Sequence, residues 1–281
     1  MSEERRRRRL RDYPVLPTIL TAGNLASGVT AILCAMSAHG EAGLLFHGGV
    51  LIFAAMVFDM FDGKVARLTG TDSEFGAELD SIADIVSFGV APAMLLHRIV
   101  LGGPPDLVLG EGERWIWFLS VFFVVMAAIR LARYNVEHDD QAQRFFQGLP
   151  SPGAAAALSA WAMLYSWFTT SQLRWDRSFL ATEWGMRLET FEYGARWIMM
   201  VLALAMALLM VSRLPFIHVG NVLLSGRLSL GRLIALFLLI GLLIIQPLYL
   251  LVVLTTLYIV VGCVVALFAQ HREHDGGRAS T

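Results

Sequence analysis

Residues 42–67 read AGLLFHGGVLIFAAMVFDMFDGKVAR and residues 74–84 read EFGAELDSIAD. The first stretch holds no Asp, Glu, Lys or Arg from Ala42 to Phe58, then meets Asp59 and Asp62. At about 1.5 Å per residue, such a helix reaches across a bilayer's hydrocarbon. Acidic side chains are rare in such surroundings unless they bind something or carry a reaction. Asp59 and Asp62 are three apart and Asp80 and Asp84 four apart, so each pair leaves one helical face. Thr71 followed by Glu74 resembles a capping box that starts a new helix after a turn over 68–73. A turn that short makes the two helices antiparallel neighbours, and all four carboxylates then converge at one end.

The rest of the chain suits that setting. Its 281 residues are 56% hydrophobic and 16% charged, with a mean hydropathy of +0.61, too little charge for the surface of a water-soluble domain. Uncharged or nearly uncharged runs at 13–40, 42–58, 145–173 and 233–270 predict an all-α, polytopic membrane bundle. Eight transmembrane helices are predicted, over about 15–38, 43–67, 74–99, 114–134, 152–170, 195–212, 229–245 and 247–269. Gln246-Pro247 divides the last two, because proline disfavours continuation of the helix before it. Pro150-Ser151-Pro152-Gly153, followed by Ala154 to Ala157, reads as a helix start with small residues for close packing.

Three segments follow: a basic head (1–14), a membrane domain (15–270) and a polar, mobile tail (271–281). Arg5 to Arg9, Lys64, Arg67, Arg133, Arg144, Arg213, Arg227, Arg232, Arg272 and Arg278 fall on one side of this plan. The excess predicts both termini in the cytoplasm, with the carboxylates at the cytoplasmic face. The 171–194 loop, with Arg174, Arg177 and Arg187 on the outside, runs against that bias. A net charge of -1 gives no global field for nucleic acid, so membrane lipids are the expected surroundings and nucleic acid is not a partner. Cys34 and Cys263 sit in apolar segments and read as small buried hydrophobes.

Clustered carboxylates near a low dielectric repel one another and must take up protons or recruit cations. Oxygen donors favour Mg²⁺ or Mn²⁺, and four of them suit two ions about 3.5–4 Å apart. Gly63 and Gly76 remove side chains beside the two acidic pairs, leaving room for a phosphate or sugar. Arg67 offers a forked donor to phosphate oxygens.

Residues 59–84 fit the pattern Asp-x2-Asp-Gly-x2-Ala-Arg-x8-Gly-x3-Asp-x3-Asp at Asp59, Asp62, Gly63, Ala66, Arg67, Gly76, Asp80 and Asp84. In this the chain resembles the CDP-alcohol phosphatidyltransferases. The resemblance implies a six-helix membrane core, usually dimeric, that moves a phosphatidyl group from a CDP-linked lipid to an alcohol and releases CMP. It also implies Asp59, Asp62 and Asp80 as metal ligands and Asp84 as both ligand and general base. Asp59, Asp62, Gly63, Ala66, Arg67, Gly76 and Asp80 would then surround the nucleotide and its phosphates.

Asp80 to Ala93, Arg130-Leu-Ala-Arg133-Tyr134-Asn135 and Phe146 to Pro152 are similar to the serine-transferring bacterial branch of that family. Asn24 with Gly28, and Ser212 to Phe216, are weaker points of likeness. This branch implies CDP-diacylglycerol and L-serine as substrates and a bacterial inner membrane as location. Arg130, Arg133, Asn135, Arg144 and Ser151 are the candidate acceptor-binding residues. Glycerol 3-phosphate, inositol phosphate or choline are the competing acceptors. An ion-coupled transporter is the reading from another class; it would place acidic residues near helix midpoints rather than at one end.

Overall fold

The computed structural model describes residues 15–38, 42–69, 74–102, 112–137, 145–170, 188–212, 214–217, 237, 241–242 and 245–278. Helix α1 (Val15–Ser37) is followed by α2 (Ala42–Thr69) and α3 (Glu74–Asp84), which runs through a wide π turn (Ile85–Val90) into α4 (Ala91–Leu101). Then come α5 (Gly112–Glu137), strand β1 (Phe145–Gln147), α6 (Ser151–Thr169), α7 (Leu188–Val211), strand β2 (Pro215–Ile217) and α8 (Pro247–Arg278). The bundle is helical, as the hydropathy pattern predicts. The two strands form one antiparallel ribbon, Phe145 opposite Ile217 and Gln147 opposite Pro215. That ribbon ties the exits of α5 and α7 to the same end of the molecule.

Six helices among the described residues are long and apolar enough to span a membrane: Leu16–Ser37, Gly43–Val65, Phe75–Leu101, Arg114–Val136, Glu192–Val211 and Pro247–Val265. The chain is a multi-pass membrane protein of this type. Eight spans were expected. The predicted helix over 229–245 falls almost wholly outside the described residues. α6, 19 residues long, is not one of the six, and it turns Ser151, Ser159 and Ser166 to the protein interior. Two boundaries also differ. α7 starts at Leu188, inside the stretch read as a loop, and α8 continues to Arg278, through the segment read as a mobile tail.

Between helices in lipid there is little hydrophobic driving force, so association depends on close backbone approach and packing. The buried residues show how this chain achieves it: Ala31 and Ala35 on α1, Ala55 on α2, and Ala154, Ala157 and Ala160 on α6. Gly49 lets α2 and α6 come close, since an added Cβ there would stand 2.9 Å from Met163 Sδ and 3.1 Å from the Ser159 carbonyl. Large apolar side chains point outward in stripes, such as Trp117, Val121 and Val125 on α5 and Val201, Leu204 and Leu208 on α7. Arg98 closes the far end of α1, donating from Nε and Nη2 to the Ala38 carbonyl at 3.0 and 2.9 Å. Cys34 and Cys263 are free thiols, both half-buried.

The π turn follows from Pro92. Proline has no N–H to send back to Phe88, and its ring crowds that carbonyl. The helix widens just before it, with the Ala91 N–H reaching Val86. Such widened turns concentrate at functional sites, and this one starts directly after Asp84.

Candidate active site

α2 ends and α3 begins at the same end of the bundle, and their packing against α1 sets the site. Carboxylate oxygens of Asp59, Asp62 and Asp80 lie within 4.8 Å of one another. Asp62 is 5% exposed. Asp62 Oδ2 and Asp80 Oδ1 are buried and have no hydrogen-bond partner. A buried oxygen without a donor costs about 1–3 kcal/mol, and more when charged. Three converging hard donors with two unsatisfied oxygens fit a divalent cation.

Asp84 is not among these three. One turn beyond Asp80, its Oδ1 accepts from Asn24 Nδ2 at 3.1 Å. Asn24 is wholly buried on α1, and its carbonyl accepts from Ser87 Oγ at 3.0 Å. Gly28, one turn along α1, lets the π turn approach: a Cβ there would fall 2.8 Å from Ser87 Cα. Thr21, one turn the other way, donates its hydroxyl to the Pro17 carbonyl at 3.0 Å within α1. The first helix therefore orients an acid that belongs to the third. Asn24 entered the sequence reading only through family likeness; a lone Asn in an apolar helix was the available signal, and it named no partner.

The other candidates divide. An added Cβ at Gly63 would meet nothing within 4 Å, so the flank of Asp62 is open. Gly76 lies half-buried near the start of α3. Ala66 and Arg67 continue α2, and their side chains lie outside the described residues, as does Arg144. Arg130 on α5 is 8% exposed and donates from Nη1 to Ser151 Oγ at 2.8 Å, with Tyr134 under its guanidinium at 5.7 Å. It is within electrostatic reach of Asp84. Asn135 donates from Nδ2 to Ser81 Oγ at 3.0 Å, joining the exit of α5 to α3. Arg133 is half-buried on the same helix. Ser151, 4% exposed, stands at the first residue of α6.

Behind Ser151 lies the one glycine of positive φ among the described residues. Gly148 has φ +85°, a region costly for other residues, and its N–H donates to the Leu214 carbonyl at 2.9 Å. Leu149 donates to the Leu209 carbonyl at 3.0 Å. The loop before α6 is thereby pinned to the exit of α7, which fixes Ser151 against Arg130.

Residues 14–209 match the family model for CDP-alcohol phosphatidyltransferase. The chain belongs to that family. Family members generally depend on divalent metal. Curated relatives include a CDP-diacylglycerol–serine O-phosphatidyltransferase of Mycobacterium leprae, 35% identical over 163 residues, covering 56% of this chain and 50% of that protein. A Methanocaldococcus jannaschii protein of the same name is 40% identical over 125 residues, 44% of this chain and 55% of the relative. One from Bacillus subtilis is 31% identical over 151 residues, 54% of this chain and 77% of the relative. Most of these alignments span about half the length of the relative. Membership in a transferase family removes the transporter reading.

Proposed function

We propose that this phosphatidyltransferase moves the phosphatidyl group of CDP-diacylglycerol to L-serine, giving phosphatidylserine and CMP. The observation that carries the transfer is the meeting of Asp59, Asp62 and Asp80, two of whose buried oxygens lack partners, one helical turn from an Asn24-oriented Asp84. The relatives' names supply the acceptor.

Asp59, Asp62 and Asp80 would hold Mg²⁺ or Mn²⁺, two ions per site, with Asp84 as a further ligand. Those ions supply positive charge for the pyrophosphate and the leaving CMP oxygen. The donor's acyl chains stay in the bilayer while its CDP head enters along the open flank at Gly63, with Ala66, Arg67 and Gly76 around it. Asp84 takes the proton as the serine hydroxyl attacks the lipid phosphorus, and the P–O bond to CMP breaks. Asn24 holds one Asp84 oxygen, which leaves the other aimed at the incoming hydroxyl. Arg130, Arg133, Arg144, Asn135 and Ser151 form the acceptor side, where a guanidinium suits serine's carboxylate. The active form is a homodimer in a bacterial-type inner membrane, with the site and both termini cytoplasmic; the arginine excess at that end of the helices supports this orientation.

The test is purified protein with CDP-diacylglycerol, Mg²⁺ or Mn²⁺ and a panel of labelled alcohols. Phosphatidylserine with matching CMP is the expected product. Transfer to glycerol 3-phosphate, inositol phosphate or choline, with none to serine, would refute the acceptor assignment.

A further inference from the structure

α8 lies beyond the family match, which ends at 209, yet it packs against α6 and β2. One hydrogen bond and one ring contact fix its rotation. Trp161 Nε1 donates to Thr256 Oγ1 at 3.4 Å. Two residues further on, the half-buried Tyr258 lays its ring on Gly153, where an added Cβ would be 3.1 Å from Cε1 and 3.8 Å from Cδ1. Gly153 is one helical step past Pro152 and two past Ser151, the residue that accepts from Arg130. Tyr258 and Arg130 are within electrostatic reach of each other, and the same guanidinium is within reach of Asp84. A residue from the last helix therefore stands beside the Arg130–Ser151 pair.

We propose that Tyr258 is a specificity-determining residue: with Arg130 it hydrogen-bonds the anionic end of the acceptor, selecting an alcohol that bears a carboxylate. The inference rests on the transferase reading above and adds a wall to its acceptor pocket. Positive charge alone attracts any anion, so Arg130 cannot by itself separate an amino acid from a phosphate ester. A phenol O–H beside a guanidinium supplies two directed donors, which suits a planar carboxylate. Gly153 is what lets the ring come this close.

The test compares the full-length wild type with Tyr258→Phe, which keeps the ring on Gly153 and removes only the hydroxyl. The KM for L-serine should rise about tenfold, while kcat and the KM for CDP-diacylglycerol stay within about twofold. Wild type should prefer serine to serinol, in which the carboxylate is replaced by a hydroxymethyl group, and the variant should lose about tenfold of that preference. An unchanged serine KM overturns the inference, as does an equal change for serine and serinol, which marks a packing effect. The acceptor reading is judged separately, on wild type alone. If wild type uses another alcohol, the two proteins are compared on that one. A neutral or phosphate-bearing acceptor overturns the role of Tyr258, and another carboxylate-bearing acceptor with a tenfold KM rise sustains it.

Discussion

Two polar groupings are built into this apolar bundle, and they are finished in different ways. At one end, Asp59, Asp62 and Asp80 crowd together with buried oxygens left over. Further along, Arg196 of α7 is 5% exposed but largely answered from within the chain. Its Nε and Nη2 donate to the Tyr165 hydroxyl at 3.3 and 3.0 Å, and Nη2 also reaches Glu192 Oε2 at 3.4 Å, leaving only Nη1 without a partner. The arginine is charge-paired by Glu192 one turn away and braced by the tyrosine ring at 5.9 Å. Like charges gathered without a counter-ion ask for something from outside, whereas an arginine paired with a glutamate on its own helix and bonded to a tyrosine of the next holds the two helices together. The first grouping is a site and the second a clamp between α6 and α7.

That contrast can be broken at either end. The largest effect is expected at Asp84. Asp84→Asn keeps the shape and removes the base, and CMP release should fall about 10³-fold with the protein still folded. Undiminished turnover in that variant would show that another group accepts the proton. Next comes Arg196→Leu, which leaves the half-buried Glu192 and the Tyr165 hydroxyl without their partner. Losing those hydrogen bonds costs about 1–3 kcal/mol, read as a lower melting temperature in detergent, while the residual folded enzyme keeps its KM for both substrates. A catalytic defect at unchanged stability would erase the distinction between site and clamp.

Asp80→Asn should weaken Mn²⁺ binding about 10–100-fold, measured by titration of the purified protein and independent of turnover. Wild-type affinity in this variant would remove Asp80 from the metal set. The smallest effect belongs to Asn24→Ala. Freed from its 3.1 Å contact, Asp84 should lose orientation, and kcat should drop about tenfold with little change in Mn²⁺ affinity. An equal loss of metal binding would instead assign Asn24 to the carboxylate cluster itself.

What sequence could reveal followed from local periodicity. The spacings of Asp59 with Asp62 and of Asp80 with Asp84 implied shared faces, and the short turn at 68–73 implied that those faces meet. Pro150-Ser151-Pro152 announced the start of α6, and Pro247 that of α8. Long-range pairing was not legible. Glu192 looks like a loop residue because charge beside an apolar run argues against a span, so the hydropathy pattern places the start of α7 near 195. Its pairing with Arg196, which in turn bonds Tyr165, suits a helix that begins at Leu188. Asn24 bonds to a residue 60 positions away and Arg130 to one 21 away, distances at which spacing carries no information. The π turn was hidden for another reason: its cause, Pro92, lies outside the six residues it widens.

The wide turn also takes up a spare residue between Asp84 and Pro92. Each residue of an α-helix turns its successor by about 100°, and each residue of a π turn by less, so the wide turn uses one residue more for the same sweep. Deleting one from 85–90 would let the helix wind normally and leave Leu95, Leu96 and Ile99 on the buried side they occupy now. The loss would be local, at the hydroxyl of Ser87 that donates to the Asn24 carbonyl, so the extra residue serves the surroundings of Asp84 and the bundle would stand without it.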